Sequence, residues 1–243
     1  MKEELIDIIK SKGYWRINFQ PVSKPKEFTL AECNALIEKN SVKLRGWYYP
    51  FYGYGDADNH GFENHNNFRQ GWIDSTEFKE FWRMYKSSQF LHYVAVTEDW
   101  WTPQNRAERF SQVAEEQPKS FLNFVGSLNY FVTEVYEFLS RLYNSGLYEE
   151  GVIVSISLHN TKGRRLSNFD FSRHLSRAYI TQEDTIEFKK TYTPEDLAKS
   201  PKDLAIDPIV HIYEQFNFND ISVQQVIKVD QDTLYGYRTS RLQ

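Results

Sequence analysis

Seven apolar residues recur at alternating spacings of four and three between Phe121 and Leu142, the strongest periodicity in the sequence. This spacing places side chains along one side of an α-helix, so the pattern predicts a helix from about residue 119 to residue 144. Aromatic residues beside the stripe widen its apolar face beyond that of a coiled-coil seam. We therefore expect a central helix that packs across a β-sheet.

Aromatic residues are unusually frequent, with 18 Phe, 16 Tyr and 6 Trp making up 16% of the chain. Each aromatic side chain buries on the order of 150–250 Å² of surface, so rings can fill much of the core. The excess is large enough to leave some rings for a recognition surface.

The other segments alternate between strand and helix patterns. Residues 14–53 predict a strand–helix–strand unit, whose helix begins with a capping box formed by Thr29 and Glu32. Strand patterns continue at residues 67–73, 87–96, 151–159 and 185–192. Short helices are predicted at residues 2–12, from Ser75 to about Lys86, and after caps at Thr193, Asp207 and Asp220.

This order predicts an α+β fold, in which one mixed β-sheet of six or seven strands is packed by the long helix and by additional short helices. No segment has the composition of a linker, so we expect residues 1–243 to form one domain.

Composition excludes several classes of protein. The formal net charge of −4 and the pI near 5.9 argue against wholesale electrostatic binding of nucleic acid. The longest uncharged run, from Ser120 to Thr133, has 14 residues, fewer than the ~20 that span a bilayer. With one Cys, no internal disulfide can form. We expect a cytoplasmic protein without a membrane partner.

Two segments predict a binding surface. Residues 45–55 read RGWYYPFYGYG, and a strand here would expose alternate rings that could stack on bases or anchor a protein partner. Residues 162–177 carry five cations, one Lys and four Arg, and the guanidinium groups of the arginines suit phosphate oxygens. The predicted binding residues are Arg45, Trp47, Tyr49, Phe51, Lys162, Arg164, Arg165, Arg173 and Arg177.

Two further clusters predict other chemistry. Asp170 or Asp184, followed by Glu187 and Lys189, resembles the acidic and Glu-x-Lys residues with which nucleases hold Mg²⁺ or Mn²⁺ and orient water. An exposed edge strand explains the same residues. A polar loop gathers five potential metal ligands, Asp56, Asp58, His60, Glu63 and His65. It lacks the bidentate Glu of a calcium loop and the helical ligand spacing of a zinc site, which favours a solvated hairpin without a cofactor.

The segments LRGWYYP, YKSSQF, NTKGRRL and YEQFNFND, taken together, resemble uncharacterised bacterial cytoplasmic proteins that carry an RGW-aromatic-Pro segment. Some of these proteins are found beside or fused to regulatory or defence modules. The resemblance covers most of the chain and implies a cytoplasmic, non-metabolic protein, without any activity to carry over.

The sequence also lacks the GxSxG, GxxxxGK[ST] and GxGxxG motifs. We therefore expect a non-catalytic interaction or sensing domain that binds another protein, or a nucleic acid or other phosphate-bearing ligand. The alternative is a metal-dependent nuclease or phosphodiesterase.

Overall fold

A seven-stranded antiparallel sheet forms the frame of the structure, a computed structural model that describes residues 2–23, 27–53, 58–110, 120–168, 175, 177–220 and 222–240. The strands are β1 (Tyr14–Pro21), β2 (His60–Asn64), β3 (Phe68–Asp74), β4 (Lys79–Tyr85), β5 (Phe90–Ala95), β6 (Phe121–Asn123), β7 (Val152–His159), β8 (Arg165–Ser167) and β9 (Thr185–Tyr192). The helices are α1 (Lys2–Lys10), α2 (Leu30–Asn40), α3 (Pro103–Phe110), α4 (Phe131–Asn144), α5 (Pro194–Leu197), α6 (Pro201–Gln215) and α7 (Val223–Ser240). The α+β class is confirmed.

The strands of the main sheet lie in the order β2-β3-β4-β5-β1-β7-β9. Every pairing in this sheet is antiparallel, where the sequence predicted a mixed sheet. Within the described residues, parallel pairing of strands occurs between the short β6 and β8. Successive side chains of β1 alternate between buried and half-buried, as the period of two predicts.

One face of the sheet carries the main core. Trp15, Ile17 and Phe19 of β1 lie in one cluster with the apolar stripe of α4 and with residues of α2, α6 and α7. The predicted helix at 119–144 is confirmed from Phe131 to Asn144, but a three-residue strand and a π-helix at Phe124–Tyr130 precede it. The opposite face carries α1, whose Leu5 and Ile9 pack with Phe81 and Ala95.

Helix starts follow the capping residues in most places. Thr29 and Glu32 form both hydrogen bonds of the predicted capping box, and Thr193 caps α5. The predicted start at Asp207 is wrong, because Pro208 lies inside α6 and Ser200 caps that helix. Proline fits the first turn of a helix best, but a helix interior can hold it at the loss of one backbone hydrogen bond.

Two other elements differ from the prediction. The predicted helix from Ser75 to about Lys86 is wrong, since residues 79–85 form β4 between β3 and β5. The predicted second strand of the 14–53 unit is wrong as well. Val42 and Tyr49 form an isolated bridge there, which closes a tight loop instead of joining the sheet.

Candidate functional site

The loop of residues 41–51 folds back against the core and separates rings that the sequence placed on one side of a strand. Val42 and Tyr49 exchange two backbone hydrogen bonds of 2.7 and 2.8 Å, and Gly46, at φ +97°, makes the turn between them. Gly adopts a positive φ without the steric cost that a Cβ brings. As a result Trp47 is 46% exposed, whereas Tyr49 is buried. Tyr49 therefore does not belong to a surface, contrary to the prediction.

Arg45 is held in place by Glu134 of α4, a residue that is fully buried. The Arg45 Nε and Nη2 atoms lie 2.7 and 2.6 Å from Glu134 Oε2, and Nη1 donates to the Gly126 carbonyl at 3.2 Å. Burial raises the pKa of the Glu134 carboxyl, and the charge and hydrogen bonds of Arg45 offset part of that rise. The guanidinium also lies 4.9 Å from the centre of the Trp47 ring.

A second buried carboxylate, Glu80 of β4, lies on the same side of the loop. Its Oε1 accepts the Phe51 N–H at 2.6 Å and lies 2.8 Å from His92 Nε2. The other imidazole nitrogen is 3.2 Å from the Tyr49 hydroxyl. Burial raises the pKa of Tyr49 well above its ordinary value, and the charges of Glu80 and Glu134 add to that rise. Since Tyr49 keeps its proton, its hydroxyl can donate to His92 Nδ1.

A small cavity opens between this loop, the end of β5 and the start of the helical path into α4. Its volume is about 30 Å³, room for about two water molecules. Glu80 and Arg45 supply its charged groups, and Ser127 and residues 94–97 complete the wall. Six of the thirteen lining residues are aromatic: Trp15, Trp47, Tyr48, Tyr49, Phe78 and Phe131.

The π-helix that lines one side of this cavity was not foreseen from the sequence. Asn123 starts it, because the side-chain oxygen accepts the Val125 and Gly126 N–H groups, both at 3.0 Å. Glu98 in turn accepts the Asn123 N–H at 2.8 Å. π-Helical turns are rare and occur frequently at functional sites. Gly126, Ser127 and Asn129, which surround the stripe residue Leu128 with small and polar side chains, were the available sequence signal.

The basic segment, residues 162–177, contributes one of its arginines to a buried ion pair of the same chain. Arg164 is 2% exposed, and its guanidinium forks onto the Asp99 carboxylate with distances of 2.8 and 2.7 Å. A buried guanidinium needs such a partner, because an unpaired charge in the interior is costly. The prediction that Arg164 contacts an external anion is therefore wrong.

The other predicted cations differ in exposure. Lys162 and Arg177 are exposed, and Arg165 is half-buried. Arg177 donates to the Asn217 carbonyl at 3.5 Å. Arg173 lies outside the described residues.

The remaining predicted ring, Phe51, is half-buried. Its backbone N–H donates to Glu80, and its carbonyl accepts the Trp82 indole N–H.

The two clusters predicted for metal chemistry lie at opposite edges of the main sheet, one at β9 and the other at the β2–β3 hairpin. Glu187 and Lys189 lie on the exposed face of β9, and Asp184 is exposed just before that strand. His65 Nε2 lies 3.5 Å from Glu63. Asp58 and His60 precede that pair along the hairpin, and Asp56 and Asp170 fall outside the described residues. Across the described ranges, no group of three or more His, Cys, Asp or Glu side chains could hold a metal ion.

The fold and site together define an α+β protein with a seven-stranded antiparallel sheet and a small, partly aromatic cavity beside the buried Arg45–Glu134 ion pair. No protein-family model, no curated protein and no solved structure matches this chain at a significant level. Among the helices that the structure describes, none has the length and apolar character needed to cross a bilayer.

Proposed function

We propose that this chain is a non-catalytic interaction domain that binds another protein through the rim of the cavity, formed by Trp47 and Tyr48. The observation that carries the proposal is the position of Trp47, a large ring that is 46% exposed beside an aromatic cavity. Tryptophan, tyrosine and arginine dominate the residues that contribute most to protein–protein binding.

The support beneath Trp47 favours the same conclusion. Arg45 lies against the ring and is itself fixed by the buried Glu134 and by the Gly126 carbonyl. A surface side chain that is already ordered loses less conformational entropy when a partner covers it. Trp47 can therefore act as an anchor at low entropic cost.

A nucleic acid or other phosphate-bearing ligand has less support as the partner. Arg45 and Arg164 are both neutralised by carboxylates of the same chain, Glu134 and Asp99. Of the predicted cations in the described residues, Lys162 and Arg177 keep an exposed position. These two side chains leave a sparse contact for a polyanion.

The alternative function, a metal-dependent nuclease or phosphodiesterase, rests on Asp170 or Asp184 with Glu187 and Lys189. Calorimetric titration with Mg²⁺ and Mn²⁺, together with incubation of the protein with DNA and RNA, tests it. Metal binding accompanied by cleavage that is lost in Glu187→Gln would favour this function over the interaction domain.

The proposal is tested by affinity capture from an extract of the source cells, with and without nuclease treatment. The compared proteins are the wild type, Trp47→Ala and Val229→Ala, which removes an apolar side chain of similar exposure from α7. We expect the wild type and Val229→Ala to recover one partner stoichiometrically. Trp47→Ala should weaken this partner's binding by about 2 kcal/mol, about 30-fold in Kd.

Two outcomes would contradict the proposal. One is a Trp47→Ala variant that folds normally and retains every partner of the wild type. The other is recovery of nucleic acid alone, abolished by nuclease, which would favour the basic segment as the binding surface.

A further inference from the structure

The charges around the cavity differ from those of an anion site. Glu80 and Glu134 bring two buried carboxylates, 1% and 0% exposed, and Arg45 brings one permanent positive charge. Arg45 forms an ion pair with Glu134, and His92 Nε2 lies 2.8 Å from Glu80 Oε1. Of the two charged residues that line the cavity, Arg45 is thus already paired with a carboxylate, whereas Glu80 presents a carboxylate to the cavity. Because charges act strongly in a poorly hydrated interior, the Glu80 carboxylate favours a cation and disfavours an anion.

The cavity walls add a second attraction for a cation. Six of the lining residues are aromatic, and the face of an aromatic ring carries negative charge that attracts ammonium and guanidinium groups. The chain already places its own cations on the two rings of the rim. Arg45 lies 4.9 Å from the centre of the Trp47 ring, and Lys43 lies 4.9 Å from that of Tyr48.

The size of the cavity selects among cations. A volume of about 30 Å³ holds about two water molecules, which suits a compact ammonium head. A planar guanidinium or a nucleotide ring is larger than this space. A flexible four-carbon stem could lie along Trp47 and Tyr48 while its ammonium group points towards Glu80.

From these observations we infer that the cavity receives the ammonium group of a lysine side chain on the protein partner. The inference rests on the proposed function and specifies which side chain of the partner enters the site. The sequence placed Arg45 in a surface that could bind a protein or an anionic ligand. Because the Arg45 guanidinium is already paired with Glu134, the inference assigns a cation to this cavity instead.

The test uses n-butylammonium as a mimic of the lysine side chain and n-butanol as its uncharged counterpart. Binding is followed by NMR through the indole N–H signals of Trp15 and Trp47, which both line the cavity. We expect n-butylammonium to shift these two signals saturably, with a millimolar Kd typical of so small a ligand. The alcohol should bind at least about tenfold more weakly, which corresponds to about 1.4 kcal/mol.

Two matched variants test whether the Glu80 carboxylate is the charge that binds n-butylammonium. Glu80→Gln keeps an acceptor for the Phe51 N–H but removes the negative charge, and should weaken n-butylammonium at least about tenfold. Glu150→Gln, at an exposed turn before β7, should bind as the wild type does. If Glu80→Gln does not fold, Trp47→Ala provides the test. Its exposed ring can be removed without opening the core, and it should weaken binding several-fold.

Three results would overturn the inference: equal affinity for the amine and the alcohol, full affinity in both Glu80→Gln and Trp47→Ala, or no saturable shift. The two proposals fail separately. Loss of the protein partner in Trp47→Ala without any binding of n-butylammonium would retain the interaction domain and reject the lysine. Binding of n-butylammonium while Trp47→Ala retains every partner would reject the interaction surface.

Discussion

Among single residues, Glu98 is a buried carboxyl group whose effect on stability can be measured. It is 2% exposed and accepts the Asn123 N–H at the start of the π-helix. Burial raises the pKa of this carboxyl, while hydrogen bonds from the Ser127 side chain and from backbone groups, and the charge of Arg164, lower it in part. The folded protein therefore holds the Glu98 proton to a higher pH than the unfolded chain does.

This order of pKa values fixes the sign of a pH effect on stability. The contribution of Glu98 is complete below its ordinary pKa of 4.5 and is lost as the pH rises through the raised value. Glu98→Gln cannot titrate and keeps the acceptor for Asn123. Relative to the wild type, its free energy of unfolding should therefore rise between pH 4.5 and pH 7.

Urea denaturation at the two pH values measures this difference. Glu150→Gln, an exposed control, should follow the wild type at both. Parallel stability curves for the wild type and Glu98→Gln would show that burial does not shift the pKa of this carboxyl.

The amino-acid sequence predicted part of the site. The part that it missed depends on contacts between residues that are far apart in the chain. The run of rings at 47–54 pointed correctly to the exposed Trp47. The ion pairs of Arg45 and Arg164 could not be anticipated, since their partners Glu134 and Asp99 lie 89 and 65 residues away in the sequence. No local pattern encodes a contact at that separation, so both arginines looked available for an external anion.

Among the elements, the π-helix connects local capping to the geometry of the site. Asn123 accepts two backbone N–H groups at its start, while Gly126 and Ser127 within it contact Arg45 and line the cavity. We expect Asn123→Ala to lower the free energy of unfolding by about 1 kcal/mol, the usual cost of losing a cap, and to shift the Trp47 indole signal.

Thr29→Ala provides the comparison, because Thr29 caps α2. Its loss should cost a similar free energy and leave the Trp47 signal unchanged. If both variants shift that signal equally, the π-helix has no specific role in holding the site.

The helix wrongly predicted at 75–86 shows where hydrophobic periodicity fails. Phe78, Phe81, Trp82 and Tyr85 match helical spacing. In β4, however, Phe81 and Trp82 point to opposite faces and both are fully buried. A strand covered on both faces, here by α1 and by the main core, loses the alternation that identifies strands. The strands with one exposed or half-exposed face, such as β1 and β9, were predicted correctly.

On the scale of the whole molecule, the Asp99–Arg164 pair joins segments that are distant in the sequence. Asp99 accepts the Gly13 N–H at 2.8 Å, and Arg164 donates to the Phe121 carbonyl at 2.7 Å. The pair thus connects the start of β1, the turn after β5, β6 and the loop after β7. Arg164→Met would leave Asp99 without its cation, and we expect the free energy of unfolding to fall by about 3–5 kcal/mol.

Lys162→Met is the matched control, since Lys162 is exposed two residues away in the same loop. Its effect should stay within about 0.5 kcal/mol. Chemical denaturation measures both variants, and a similar small loss in each would mean that the buried pair contributes little to the connection.

The strand order also has a consequence for how the chain reaches this structure. Strands β2 to β5 pair in sequence as a meander, so each pairing closes a short loop. β1, the first strand in chain order, pairs with β5 and with β7, whose residues come about 75 and 140 positions later. During synthesis the meander can assemble while β1 still lacks one of its two neighbours. β1, an interior strand of the finished sheet, is thus among the last to be fully paired, and one of its edges stays open until residues 152–159 arrive.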